Sequence, residues 1–191
     1  MEQKENRKIR YTKMVIRDSL MELMKNNSIV SIHIKDICEL ADISRSTFYA
    51  HYKDQYDLLQ QIEEETLAHF KELLKKYDAG CSNAEFTLLI EEVLSYMANN
   101  SSIQVLLSEH GDIDFQKKLF RDLALRKQIT GFISKRIQED EIASCYFIFV
   151  LNGIIGLIQH WLKNDMYIPV PKLAKMILKW TEHQATAALK L

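Results

Sequence analysis

The chain has 191 residues, enough for one large domain or two small ones. With 47% apolar and 27% charged residues it can fill a core and keep its surface soluble, while five glycines and two prolines leave too little turn chemistry for strands. A formal net charge of -1 excludes a protein that grips nucleic acid with its whole surface and confines any such contact to one end.

Three cysteines, Cys38, Cys81 and Cys145, are odd in number and widely scattered, with no metal-ligand spacing and no secretion signal before them. A reduced, cytoplasmic protein without metal or cofactor is therefore expected. No nucleophile motif, phosphate-binding glycine loop or working carboxylate pair is recognisable, so no catalytic residue is assigned and no enzyme is expected.

Taken in order, the first helix is expected from about Tyr11 to Asn26, with Ile16, Ser19, Leu20 and Leu23 as its inner stripe. Lys4, Arg7, Lys8, Arg10, Lys13 and Arg17 concentrate cations at the start of the chain, whereas acids gather later, as in Glu63-Glu64-Glu65. Ile34, Ile37 and Leu40 recur at helical spacing, giving a short helix from Ile34 to Ala41. Asp42-Ile43-Ser44 interrupts it. Ser44 can cap a second short helix from Arg45 to His51 or Tyr52, and Asp54 caps a third. Two short helices joined by a tight turn form a helix-turn-helix. Phe48 and Tyr52, at i and i+4, face its core. Arg45, Ser46, Thr47, Tyr49, Ala50 and His51 are left outside, a set with cations and hydroxyls for phosphate, a small residue for close approach to bases, and no acid. Lys53 follows at a point suited to a backbone contact, and Lys35 adds a cation on the preceding helix. An ordinary hairpin with a solvated face is the competing account.

Ile34-x-x-Ile37-Cys38-x-x-Ala41-Asp42-Ile43-Ser44-x-x-Thr47-Phe48-Tyr49-x-His51-Tyr52-Lys53-Asp54-x-x-x-Leu58 resembles the DNA-binding domain of the TetR family of regulators. The resemblance covers about the first seventy residues. It implies a three-helix domain at 1–60, with its motif at about 33–52, whose third helix enters the major groove. By position, Thr47, Tyr49, His51 and Lys53 would hold phosphates, and Arg45, Ser46 and Ala50 would face bases. Lys35 and Ser44 complete the expected DNA-binding set. Three positions depart from the family pattern. His33 stands where a threonine cap is usual, so that helix end is expected to fray. Asp42 replaces the turn glycine, a substitution that tolerates the left-handed conformation at some cost. Gln55 replaces a common lysine.

Beyond the motif, Leu58, Leu59, Ile62, Leu67, Phe70, Leu73 and Leu74 continue one helix to about Asp78, longer than a small domain needs. It is expected to act as a rigid lever into a second domain, 61–191. Helices follow with Phe86 to Met97, Ile103 to Leu107, and a long amphipathic run from Phe115 to Ile137. Ile142 to Leu162 is the most apolar stretch. Its length could just span a bilayer, but Ser144, Asn152, Gln159 and His160 interrupt it and the flanks lack basic bias, so no membrane anchor is expected. The last helix starts at Pro171.

The second half also resembles the family's ligand and dimerisation region, through Gly153-Ile-Ile-Gly156 and Trp161-Leu162-Lys163. That likeness implies a homodimer through about Ile142–Leu162 and Pro171–Leu189, reading a palindromic double-stranded operator, and a small-molecule effector. Tyr96, His110, Phe115, Phe120, Phe147, His160 and Trp161 are the conceivable pocket lining, although an aromatic at helical spacing is more often plain core. The fold expected is thus all-α: an N-terminal three-helix helix-turn-helix domain joined by a long helix to a helical ligand and dimerisation domain. The function expected is a dimeric transcriptional regulator, a repressor released by its effector. The alternative is a DNA-binding adaptor whose second domain engages a protein.

Overall fold

The computed structural model describes residues 2–76, 82–108, 110–124 and 141–188. Among them are nine α-helices and no strand, as the scarcity of glycine and proline predicts. They fall into two compact units, the first of residues 1–67 and 101–115, the second of residues 68–100 and 116–191.

The first unit contains α1 (Glu2–Met24), a 3-10 turn (Ile29–Ser31), α2 (Ile34–Leu40), α3 (Arg45–Tyr49), the beginning of α4 (Gln55–Lys75), α6 (Ser101–Leu106) and the start of α7 (Ile113–Ala124). Helix α1 packs on α2 and α6, and α2 packs on α3. Ile16, Leu20 and Met24 from α1, Ile37 and Cys38 from α2, Phe48 from α3, Leu58 and Ile62 from α4, and Ile103 and Leu106 from α6 form its core. Ser19 is buried on the inner stripe, its hydroxyl satisfied by the Val15 carbonyl at 2.8 Å. Burial also pushes the Cys38 thiol up from its usual range, so this cysteine behaves as a small apolar group.

Helix α1 begins at Glu2, well before the Tyr11 start that the apolar stripe marks. Residues 2–10 carry no apolar face, but Glu, Gln, Lys and Arg are strong helix formers and extend the helix by propensity alone. Helix α3 ends at Tyr49, earlier than expected. The chain then closes as a turn, with the amides of His51 and Tyr52 both donating to the Phe48 carbonyl.

The second unit contains the end of α4, α5 (Asn83–Asn99), the rest of α7, α8 (Glu141–Lys163) and α9 (Val170–Ala188). Helix α9 packs on both α5 and α8. Ser82 and Glu85 form a capping box at the start of α5. The Ser82 hydroxyl accepts the Glu85 amide at 3.3 Å and the Glu85 carboxylate accepts the Ser82 amide at 2.7 Å. The Ser82 amide, and the Ser82 hydroxyl at 2.9 Å, both donate to the Glu85 carboxylate and hold it below its ordinary range. Between α8 and α9, Asp165 and Met166 take φ of 52° and 53°, and the Trp161 indole N–H donates to the Ile168 carbonyl at 2.8 Å. The α8–α9 turn is thereby closed over a tryptophan that is 1% exposed. The amphipathic continuation expected through Ile129, Phe132, Ile133 and Ile137 lies outside the described residues. No helix among those described is long and apolar enough to cross a membrane.

Candidate nucleic-acid interface

The helix-turn-helix is built by three local devices. At the end of α2 the chain must reverse, and Asp42 does this with φ of 51°, the left-handed conformation that a glycine would take at lower cost. Ser44 then starts α3, its Oγ accepting the Thr47 amide at 3.1 Å. Asp54 starts α4, its Oδ1 accepting the amides of Tyr56 and Asp57 at 2.9 and 2.8 Å. At α2 the expected fraying is offset by Asp36. Its carboxylate accepts the His33 amide at 3.0 Å, so the orphan donor is satisfied from inside the helix.

Anchoring and presentation are divided cleanly along α3. Phe48 is wholly buried and Tyr52 nearly so, their rings 5.8 Å apart. Arg45, Ser46, Tyr49 and Ala50 are exposed, and Thr47 and His51 are half-buried. Tyr49 is 56% exposed and stands edge-on to Phe48 at 5.8 Å. The hydroxyls of Ser44, Ser46 and Thr47 cluster at the start of α3, with Ser44 Oγ 2.7 Å from Ser46 Oγ and 2.9 Å from Thr47 Oγ1. Such a cluster can reorient its hydrogens to donate to an incoming phosphate oxygen.

Two cations flank the helix. The Lys53 side chain is exposed, while its backbone amide donates to Asp57 Oδ2 at 2.9 Å. That bond, with a second from Gln61, holds the Asp57 carboxyl below its usual range. Asp57 thus fixes the backbone that carries Lys53. Lys35, by contrast, lies 3.5 Å from Glu39 on its own helix, an exposed i,i+4 pair that is weak and easily exchanged for a phosphate.

A family model, TetR_C_8, the transcriptional regulator C-terminal region, matches residues 84–183, more than half of the chain. The chain belongs to the TetR family of transcriptional regulators. This match falls on the half whose sequence resemblance was the shorter. Solved structures share the fold of this TetR-family regulator. A TetR transcriptional regulator from Streptococcus agalactiae 2603V is 22% identical with a TM-score of 0.67, covering 95% of this chain and 99% of that one. The dihydroxyacetone kinase operon activator DhaS is 18% identical with a TM-score of 0.55, covering 92% and 97%. The regulator FadR from Bacillus subtilis, solved in complex with stearoyl-CoA, is 17% identical with a TM-score of 0.62, covering 88% and 96%. No curated protein matches the chain.

The residues considered for an effector pocket of this regulator belong to both units. His110 and Phe115 belong to the first unit, where Phe115 is buried and the His110 amide donates to Ser108 Oγ at 3.2 Å. In the second unit Tyr96 stacks on His69 at 3.8 Å and meets Phe70 edge-on at 5.3 Å. Trp161 is core, and His160 is exposed beside Tyr167. The side chains of Phe120 and Phe147 lie outside the description. A cavity of about 170 Å³ opens instead between α8 and α9, lined by Phe149, Val150, Gly153, Ile154, Leu157, Ile177, Trp180 and Thr181. None of these was singled out as pocket lining, although all of them lie in the two segments expected to form a dimer.

Proposed function

We propose that this TetR-family regulator is a cytoplasmic homodimer that represses transcription by binding a palindromic operator through α3. The observation that carries the reading is the division of α3 and the turn after it into a buried anchor, Phe48 with Tyr52 behind it, and an acid-free exposed face of Arg45, Ser46, Tyr49 and Ala50. Arg45, Ser46 and Ala50 read base edges. Thr47, Tyr49, His51 and Lys53 hold phosphates, joined by Ser44 and Lys35. Residues 1–60 form the DNA-binding domain and residues 61–191 the regulatory and dimerisation domain.

Dimerisation is supported by apolar surface left open on α8 and α9. Phe149 is 65% exposed and Trp180 50% exposed, and both line the α8–α9 cavity. Gly153 and Gly156 meet nothing within 4 Å of the position a Cβ would take. Two glycines in mid-helix cost roughly 1 kcal/mol each relative to alanine, a cost that close approach by a second copy offsets. A two-fold axis here gives two α3 helices for the two halves of a palindrome.

Release is assigned to a small molecule in the second domain, an idea supported by FadR, which was solved with stearoyl-CoA. Because α4 carries buried side chains in both units, from Leu58 and Ile62 to Phe70 and Leu74, a change at its far end is transmitted to the reader as a rigid-body shift. The adaptor reading would put a foreign protein on the same apolar surface. Phe149→Glu separates them. The dimer predicts that the wild-type chain sediments as two subunits and that this variant dissociates at least about 100-fold more readily. It should also lose palindrome affinity while keeping its helical content. A wild-type monomer at micromolar concentration would support the adaptor.

A further inference from the structure

The cations concentrated at the start of the chain lie on the first turns of α1, and they are sorted by their neighbours. Arg17 is taken up by an ion pair with Glu65 of α4, so it serves the fold of the first unit. One turn earlier, the Lys13 ammonium sits over the Tyr52 ring, 6.0 Å from its centre. Tyr52 is the residue between His51 and Lys53, so Lys13 brings α1 to the end of the reader helix. Arg10 and Arg7 continue from Lys13 at spacings of three along one side of α1, both exposed. Among the described residues no carboxylate pairs with Arg7, Arg10 or Lys13. These cations lie on turns that project beyond the buried stripe of Ile16, Leu20 and Met24. At 1.5 Å per residue the row from Lys13 to Arg7 is about 9 Å long.

We propose that Arg7, Arg10 and Lys13 form a second DNA contact, a cationic rail that holds phosphates of the duplex just outside each operator half-site. A row of cations about 9 Å long matches two to three base-pair steps, roughly 3.4 Å each along a strand. A lipid surface is a poorer fit. The exposed apolar residues of this segment, Ile9, Tyr11 and Met14, are spread around the helix rather than gathered on one face. The inference rests on α3 as the reader, because Lys13 is placed by Tyr52. It adds that binding depends on flanking DNA that α3 does not touch.

The test compares full-length protein on two duplexes, one ending at the palindrome and one extended by about five base pairs on each side, enough to cover the 9 Å row. Wild-type protein should bind the extended duplex at least about tenfold more tightly at physiological salt. The triple variant Arg7→Gln, Arg10→Gln, Lys13→Gln should lose that preference yet still select the palindrome. Its salt slope should fall by about 2 to 5 for a dimer, at about 0.9 per phosphate contact. Glutamine is a comparable helix former, so α1 is retained, which circular dichroism verifies. Equal wild-type affinity for both duplexes, or an unchanged preference in the variant, would overturn the rail and leave the reader helix standing. Loss of all palindrome selectivity in the wild-type protein would overturn both.

Discussion

In the function proposed above, single residues of the helix-turn-helix carry separable jobs, and their replacement should separate them. Tyr49 stands edge-on to Phe48 and is exposed, as a phosphate donor needs to be. Tyr49→Ala should weaken binding to operator and to unrelated DNA alike, and unchanged affinity at matched salt would refute the placement of α3. Arg45→Ala should instead relax preference at particular base positions by about 1–3 kcal/mol, which selection of sites from random duplexes would display. Asp57 acts one step back, holding the Lys53 backbone. Its carboxyl is lowered in the folded chain, so its contribution to stability is complete above the ordinary aspartate range. That contribution should fade as pH falls below about 4. Asp57→Asn should remove this part of the acid dependence in denaturant melts taken across that range. The residues of the motif were legible beforehand because capping and turn chemistry are local. Ser44 and Asp54 cap their helices as their side chains dictate, and Asp42 adopts the left-handed turn expected of a glycine substitute. The His33 end was legible only in part, since Asp36 three residues on, not the imidazole, supplies the bond that offsets fraying.

At the scale of elements, periodicity located helices well and their ends less well. Helix α1 starts at Glu2 because propensity, not an apolar stripe, extends it. The α8–α9 turn is the opposite case, where tertiary structure overrides local preference. Met166 holds φ of 53° with no glycine present, which costs roughly 1–2 kcal/mol. Its conformation is held by the Met166 amide bond to the Trp161 carbonyl and by the Trp161 bond to Ile168. Asn164-Asp165 signals a turn, but nothing in the sequence announces a left-handed methionine after it. Met166→Gly should therefore raise the melting temperature of the second unit, by up to about 1 kcal/mol of stabilisation after the entropy of glycine is charged. A lowered melting temperature would show that the methionine side chain contributes more than the backbone strain removes.

At the scale of the whole molecule the chain forms two compact units, and the two were unequally legible. The helix-turn-helix was legible because it is a contiguous motif of short elements. The effector site proposed would draw on residues far apart in sequence, and Tyr96, Trp161 and Phe115 could be marked as aromatic without any signal of which way they face. Trp161 proves to spend its one polar hydrogen inside the α8–α9 turn. The apolar excess of Ile142 to Leu162 was legible as a surface needing cover, and the exposed Ile148 and Phe149 on α8 fit that reading. Everything proposed here depends on sequence-selective DNA binding by the intact chain. The most direct measurement is selection of bound fragments from the source organism's genomic DNA by the purified protein. A short palindrome recurring upstream of a few genes is the predicted result. Salt-sensitive binding that yields no common motif would contradict it.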